Sequence, residues 1–198
     1  MTVAKAVDDL TKALRRLPGV GPKTAQRYVF QLLARDRKGA TEIVDTLQKA
    51  VESVRHCSQC NNFSESPVCS ICDSPARDRS QLCIVETPAD LNSFEEAGVY
   101  QGLYFVLMGK ISPMDGIGPD DLNIDELLDV LKSNPVNEII LAMNITLEGD
   151  ATADYLSERM TEYGCTITRL ARGLPLGGEL EYMDKGTLIE AFQRRVPN

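Results

Sequence analysis

The hydrophobic pattern of the chain changes period twice. Ala6, Leu10, Ala13, Leu14 and Leu17 recur at spacings of three and four, which predicts an amphipathic helix over about 5–16. Pro18 and Gly19 end it. Pro22 suits the first turn of a second helix, expected from about 23 to 34 with Ala25, Val29, Leu32 and Leu33 on one face. "RDRKGA" breaks the pattern. A third helix is expected from about 40 to 55, with Ile43, Leu47, Ala50, Val51 and Val54 on its inner side. Residues 57–80 lose helical periodicity and become short, polar and cysteine-rich. From residue 81 apolar runs of strand length alternate with helical segments: "QLCIVE", "GLYFVLMG", "EIILAMN" and "CTITRLA" read as strands, "PADLNSFEEAG", "IDELLDVLKS" and "GDATADYLSERMTEYG" as helices. That alternation predicts a parallel sheet covered on both faces. "KGTLIEAFQRR" is a closing helix.

The pattern implies an α+β multidomain chain. Its parts are an all-helical region over 1–56, a small cysteine module over 57–72, an α/β domain with a parallel sheet over 80–175 and a C-terminal segment over 176–198. Charge sharpens this division. The 198 residues carry a net charge of −8, but residues 1–56 hold 11 Lys/Arg against 6 Asp/Glu, and residues 57–198 hold 10 against 23. A basic head on an acidic body suits different partners for the two parts. For most of the acidic residues, solubility is explanation enough. No apolar run approaches the length of a membrane span, about 18–20 residues. The start "MTVAKAVDDLTKALRRL" lacks the apolar region of a secretory signal. A cytoplasmic protein without membrane contact is the expectation.

Three clusters could carry chemistry. In "LPGVGPKTAQRY", Gly19 and Gly21 make a tight turn with accessible backbone N–H groups, and the second helix begins there. Unpaired N–H groups and a positive dipole end bind phosphate, and Lys23 and Arg27, four apart on one helix face, add charge. Such a device holds a nucleic-acid backbone and reads no bases. An ordinary helix–helix turn would use the same residues. Leu17 and Val20 are expected to pack the turn onto its helices.

In "CSQCNNFSESPVCSIC", Cys57, Cys60, Cys69 and Cys72 form two C-x-x-C turns. Four thiolates fit one tetrahedral, structural Zn²⁺ per chain. Redox pairs and an iron–sulfur cluster are the other readings, and the spacing does not match the usual clusters. His56, the single histidine, reads as a neighbour of a filled shell, and Cys83 and Cys165 as small apolar residues. Finally, Glu86 ends one strand, and Glu148 and Asp150 follow another. If those strands are neighbours, three carboxylates converge beyond the sheet's carboxyl edge, where oxygen ligands would suit Mg²⁺. The plainer reading is that Asp150 supports the start of the next helix while Glu148 is solvated.

Resemblance adds to each cluster. "LPGVGPKTAQR" resembles the helix-hairpin-helix motif of DNA-repair proteins. "IVE" followed by "EGD" resembles the Toprim module of topoisomerases and primases, with Glu148 standing where an Asp-x-Asp pair would begin. The order of hairpin, four-cysteine site and Toprim module, with "GLYFVLMGKISPMDGIGPDDL", "LEGDATADYL" and "GLPLGGELEYMD", resembles the bacterial RecR family over essentially the whole chain. Phe105 and Met108 depart from the His and Gly expected of that family.

The resemblance implies a recombination mediator in DNA repair that is not an enzyme. Such a mediator acts with RecO and RecF to load RecA onto single-stranded DNA, in a pathway independent of RecBC. It also implies a homotetrameric ring or clamp built from dimers, with Gly19, Gly21, Lys23 and Arg27 toward DNA and Glu86, Glu148 and Asp150 toward partner proteins. The alternative is a Toprim-type magnesium-dependent nuclease or primase working through the same carboxylates.

Overall fold

The computed structural model describes residues 4–175 and 177–195. The chain divides into two units, residues 1–54 and 55–198. The first unit is helical: α1 (Lys5–Leu14), α2 (Pro22–Phe30) and α3 (Arg37–Ser53). Between α2 and α3 the backbone widens into a π-turn over Gln31–Arg35, so the second helix ends its regular course earlier than expected. α3 starts a few residues earlier than its apolar pattern because Asp36 caps it: the carboxylate accepts a bond of 2.8 Å from the Gly39 N–H.

Within this unit only Ala25 and Val29 are buried among the described residues. The apolar stripe of α3 exists, but it is not an inner side. Ile43, Leu47 and Val51 are 56%, 62% and 71% exposed. Apolar spacing sets which residues share a face. It does not say whether that face has a neighbour within the same fold.

The second unit opens with a short antiparallel ladder of β1 (Arg55–His56) and β2 (Phe63–Ser64), followed by one turn of helix, α4 (Ser70–Asp73). Then come β3 (Asp78–Val85), α5 (Pro88–Ala97), β4 (Gly102–Val106), α6 (Ile124–Ser133), β5 (Glu138–Ala142), α7 (Leu147–Met160), β6 (Thr166–Arg169) and α8 (Lys185–Gln193). The four main strands form a sheet of order β4-β3-β5-β6, and every pairing is parallel. Alternation along the strands sorts the core into two layers. Leu82, Ile84, Phe105, Ile139 and Leu141 face α6 and α7, burying against Leu127, Leu131 and Leu156. Cys83, Val85, Tyr104, Val106 and Ala142 face the other way, toward Leu91 of α5. Cys83 is therefore a core residue, and burial pushes its thiol up to about 12.

Local chemistry fixes the helix ends. Thr87 and Asp90 form a reciprocal capping box at α5, Pro88 occupies its first turn, and Gly98 closes it at φ 63°. Phe105, where the resemblance expects histidine, is fully buried in the layer against α6 and α7. Met108, where it expects glycine, holds φ 63°. That left-handed conformation costs a side chain about 1 kcal/mol or more, which accounts for a preference for glycine there. The expected C-terminal segment includes α8, whereas Leu176 and residues 196–198 lie outside the described residues. Among those described, no helix is long and apolar enough to cross a membrane.

Candidate functional site

The hairpin is built as its residues require. Gly19 has φ 75°, a conformation that favours glycine, and the Val20 N–H donates to the Leu17 carbonyl at 3.1 Å to close the turn. Gly21 caps α2, Pro22 takes its first position, and no side chain caps the helix. A Cβ at Gly19 or Gly21 would meet nothing within 4 Å, so the backbone here is open to approach. Lys23 and Arg27 are exposed, and the Arg27 guanidinium lies 5.8 Å from the centre of the Tyr28 ring. Val20 is half-buried, but Leu17 is 53% exposed and does not pack the turn as expected.

The four cysteines converge. Their sulfurs all lie within 4.8 Å of one another, and the Cys60 and Cys69 sulfurs are 3.5 Å apart. A tetrahedron with Zn–S bonds of about 2.3 Å has sulfur–sulfur edges of about 3.8 Å, so the quartet fits zinc with no open position. All four side chains are buried. Hydrogen bonds from the neighbouring thiols, Cys72 foremost, lower the Cys60 thiol to about 6. Burial and the nearby Cys60 charge push Cys69 up to about 11, and hydrogen bonding to Cys60, with burial, pushes Cys72 up. Four thiolates buried this close together would repel one another and call for a compensating cation. His56 is no part of the quartet; its Nδ1 lies 3.0 Å from the Asn61 carbonyl.

The quartet is also fastened to the sheet. The Val106 N–H donates to the Cys60 carbonyl at 2.8 Å, and the Asn61 amide donates to the Val106 carbonyl at 2.7 Å. Asn61 adopts φ 59° to do this. β4 is an edge strand, and these bonds satisfy backbone groups that an open edge would expose.

Glu86 lies at the end of β3, and β5 is its neighbour, as the sequence reading required. The carboxylates nonetheless do not form a metal cluster. Among the described residues the cysteine quartet is the group of three or more potential ligands within 4.8 Å. Each carboxylate instead has its own donor. Glu86, 4% exposed, accepts from the Asn144 backbone N–H at 2.7 Å and from its side-chain amide at 2.9 Å. Glu148 pairs with Lys110 at 3.6 Å. Its own N–H in the open first turn of α7 and the Lys110 charge hold its carboxyl below the ordinary range. Asp150 is bridged by the guanidinium of Arg172, which lowers its carboxyl too.

Glu148 and Asp150 belong to the first turn of α7, capped by Thr146, whose hydroxyl accepts from Gly149 at 3.0 Å. Gly149 between them is required by close approach, since a Cβ there would lie 2.1 Å from the Asn144 carbonyl oxygen. Sequence reasoning missed Lys110, Asn144 and Arg172. All three lie beyond strand ends, a placement that could have flagged them.

A helix-hairpin-helix unit, a four-cysteine finger and a Toprim sheet in this order define a modular protein that combines a DNA-repair motif with the Toprim fold. Residues 7–51 match the RecR helix-hairpin-helix, 54–74 the four-cysteine zinc finger domain of RecR, 80–171 the Toprim domain and 173–196 the RecR C-terminal family. The chain is 53% identical over 190 residues to Recombination protein RecR of Chromobacterium violaceum, covering 96% of each. It is 50% identical over 189 residues to that of Saccharophagus degradans, again covering 96% of each, and 50% over 193 residues to that of Xanthomonas oryzae pv. oryzae, covering 98% of each. The chain belongs to the RecR family of recombination proteins.

Proposed function

We propose that this chain is a DNA-binding recombination mediator that works in cytoplasmic DNA repair by binding and positioning, without chemistry of its own. The observation that carries the reading is its similarity, along nearly the whole chain, to proteins named for recombination. The division of labour follows the parts 1–56, 57–72, 80–175 and 176–198.

In this reading Gly19, Gly21, Lys23 and Arg27 grip the phosphate backbone irrespective of sequence. Cys57, Cys60, Cys69 and Cys72 hold one structural Zn²⁺, which keeps the module that caps β4 folded. Glu148 and Asp150 form an acidic face toward RecO, with Glu86 buried behind it on Asn144, and charge complementarity there gives selectivity and speed of encounter. RecF is the second partner, and the outcome is loading of RecA onto single-stranded DNA. The exposed stripe of α3 and the C-terminal segment serve self-association into a homotetramer. Several hairpins in one ring would then sum weak contacts on one DNA molecule.

The donors on each carboxylate support a docking role over a catalytic one. Phosphoryl transfer with Mg²⁺ needs oxygen ligands free to hold the ion and a positioned nucleophile. Glu86 is held by Asn144 and Asp150 by Arg172. The direct test is co-purification with RecO, with and without DNA, followed by a mass measurement of the complex. A stable assembly with several copies of this chain is expected. Absence of any complex under both conditions would overturn the reading.

A further inference from the structure

Arg172 follows β6 and holds two carboxylates from different elements. Its guanidinium donates to Asp150 in the first turn of α7, at 3.1 Å through one nitrogen and more closely through the other. The first of these nitrogens also lies 3.6 Å from Glu190 of α8. Glu190 in turn accepts from the Arg194 Nε at 2.6 Å. α8 buries none of its residues. Its apolar residues Leu188 and Ala191 are only half-buried, so this charged bridge adds to what fixes α8 to α7.

A groove of about 380 Å³ opens beside the bridge, lined by Ile145, Arg172, Gly173, Asp184, Thr187 and Glu190. Ile145 at its edge is 70% exposed. The groove therefore presents one apolar side chain, Ile145, and the carboxylates of Asp184 and Glu190 beside Arg172, next to the Asp150 that Arg172 holds. The Asp150 side chain is itself 34% exposed. If Arg172 gives up Asp150 it still has Glu190, so the exchange leaves no buried charge without a partner. Orphaned charge is the costly part of breaking such a pair.

We infer that Arg172 is a displaceable latch: in the free chain it occupies Asp150 and ties α8 to α7, and it yields Asp150 to an arginine side chain of a partner protein, which frees α8 from α7 while Arg172 keeps Glu190. The inference deepens the reading of the acidic face as a partner surface and rests on it. It makes Arg172 a positioning residue that links partner binding to the C-terminal segment.

The test is hydrogen–deuterium exchange on the full-length, zinc-loaded protein. Arg172→Gln and Asp150→Asn should each speed exchange of the α8 amides at least about threefold, with the α7 core unchanged. The double variant should be no faster than the faster single one, because both remove one bridge. Arg172→Lys, which keeps the charge but not the two-sided fork, should fall between. Tri-arginine peptide added to the wild type should reproduce the acceleration and have no effect on Asp150→Asn. Unchanged α8 exchange in both single variants, additive effects in the double, or an equal peptide effect on Asp150→Asn would overturn the latch. RecO titration is read separately: loss of RecO binding with the exchange pattern intact would remove the partner and leave the latch standing.

Discussion

The two units of this chain solve the problem of burial differently. The unit over residues 55–198 has a parallel sheet with apolar layers on both faces, and Ile84, Val85, Val106 and Ile139 are wholly inaccessible. The unit over residues 1–54 buries only Ala25 and Val29 among its described residues, while Ile43, Val44, Leu47 and Val51 of α3 are all more than half exposed. Fully burying one such side chain is worth about 1.5–3 kcal/mol. The sheet unit thus carries its own core, whereas the helical unit buries little and leaves the α3 stripe exposed. Basic charge and a thin core fall together in the helical unit, and acidic charge and a two-layer core in the sheet unit, although Val99, Met114, Ile145, Leu147 and Phe192 leave apolar surface open there too.

The largest effect should come from the zinc site, which belongs to the unit with the closed core. A structural zinc supplies about 10–16 kcal/mol of apparent binding free energy in small finger peptides. Elemental analysis should give one zinc per chain, and Cys57→Ser should release it and open residues 57–72 to proteolysis. Well under one zinc, with four freely titrating thiols in folded protein, would count against the site. Uncapping the β4 edge should also promote aggregation of the variant.

Next is the exposed apolar stripe of α3 in the helical unit. Leu47→Glu should weaken self-association by about tenfold or more, since it removes about 1.5–3 kcal/mol of burial per copy. Sedimentation equilibrium reads this. An unchanged oligomer would break the comparison, because the α3 stripe would then have no assembling role. In the same unit, Lys23→Ala with Arg27→Ala should weaken DNA binding about equally for all sequences. The slope of log affinity against log salt should fall by about 1.4–1.8, as expected for two lost phosphate contacts. No change in affinity and slope would remove the phosphate grip.

The smallest effect sharpens the description of the sheet unit. Arg77 bridges Glu95, which also accepts from the Tyr104 hydroxyl at 2.8 Å. Hydrogen bonding from Arg77 holds the Glu95 carboxyl below its ordinary value of 4.5. A depressed folded-state pKa gives stability that is present above the unfolded value and is lost as pH falls through the folded one. The stability gap between wild type and Glu95→Gln should therefore shrink as pH falls below about 4.5. Urea unfolding at a series of pH values reads the gap, and a gap independent of pH would contradict the assignment.

Legibility in the sequence followed the range of the interaction. Helices and strands were readable because period 3.6 and period 2 are local, and the parallel sheet followed from their alternation. The four cysteines were readable because ligand spacing is itself the chemistry. Glu86, Glu148 and Asp150 were found by position at strand ends. Their donors were not, since Lys110, Asn144 and Arg172 meet them only through the tertiary fold. The α3 stripe shows the same limit: Leu47 shares a face with Ile43 and Val51, but nothing local tells whether that face is covered. Asp36 was legible in principle as a cap, and the apolar pattern, which starts later, obscured it.

The central claim is that the acidic strand-end face docks a partner and performs no metal-dependent chemistry. The most direct measurement is a paired assay of wild type and Glu148→Ala: affinity for RecO by titration, and DNA cleavage or primer synthesis in the presence of Mg²⁺. Glu148 is partly exposed, so a weakening of RecO binding by at least about tenfold is expected if the contact becomes buried in the complex, where losing one side of a charge pair costs about 2–5 kcal/mol. Neither protein should cleave DNA or make primers. Wild-type cleavage or synthesis that Glu148→Ala abolishes, with RecO affinity unchanged, would contradict the account and assign the face to an enzyme.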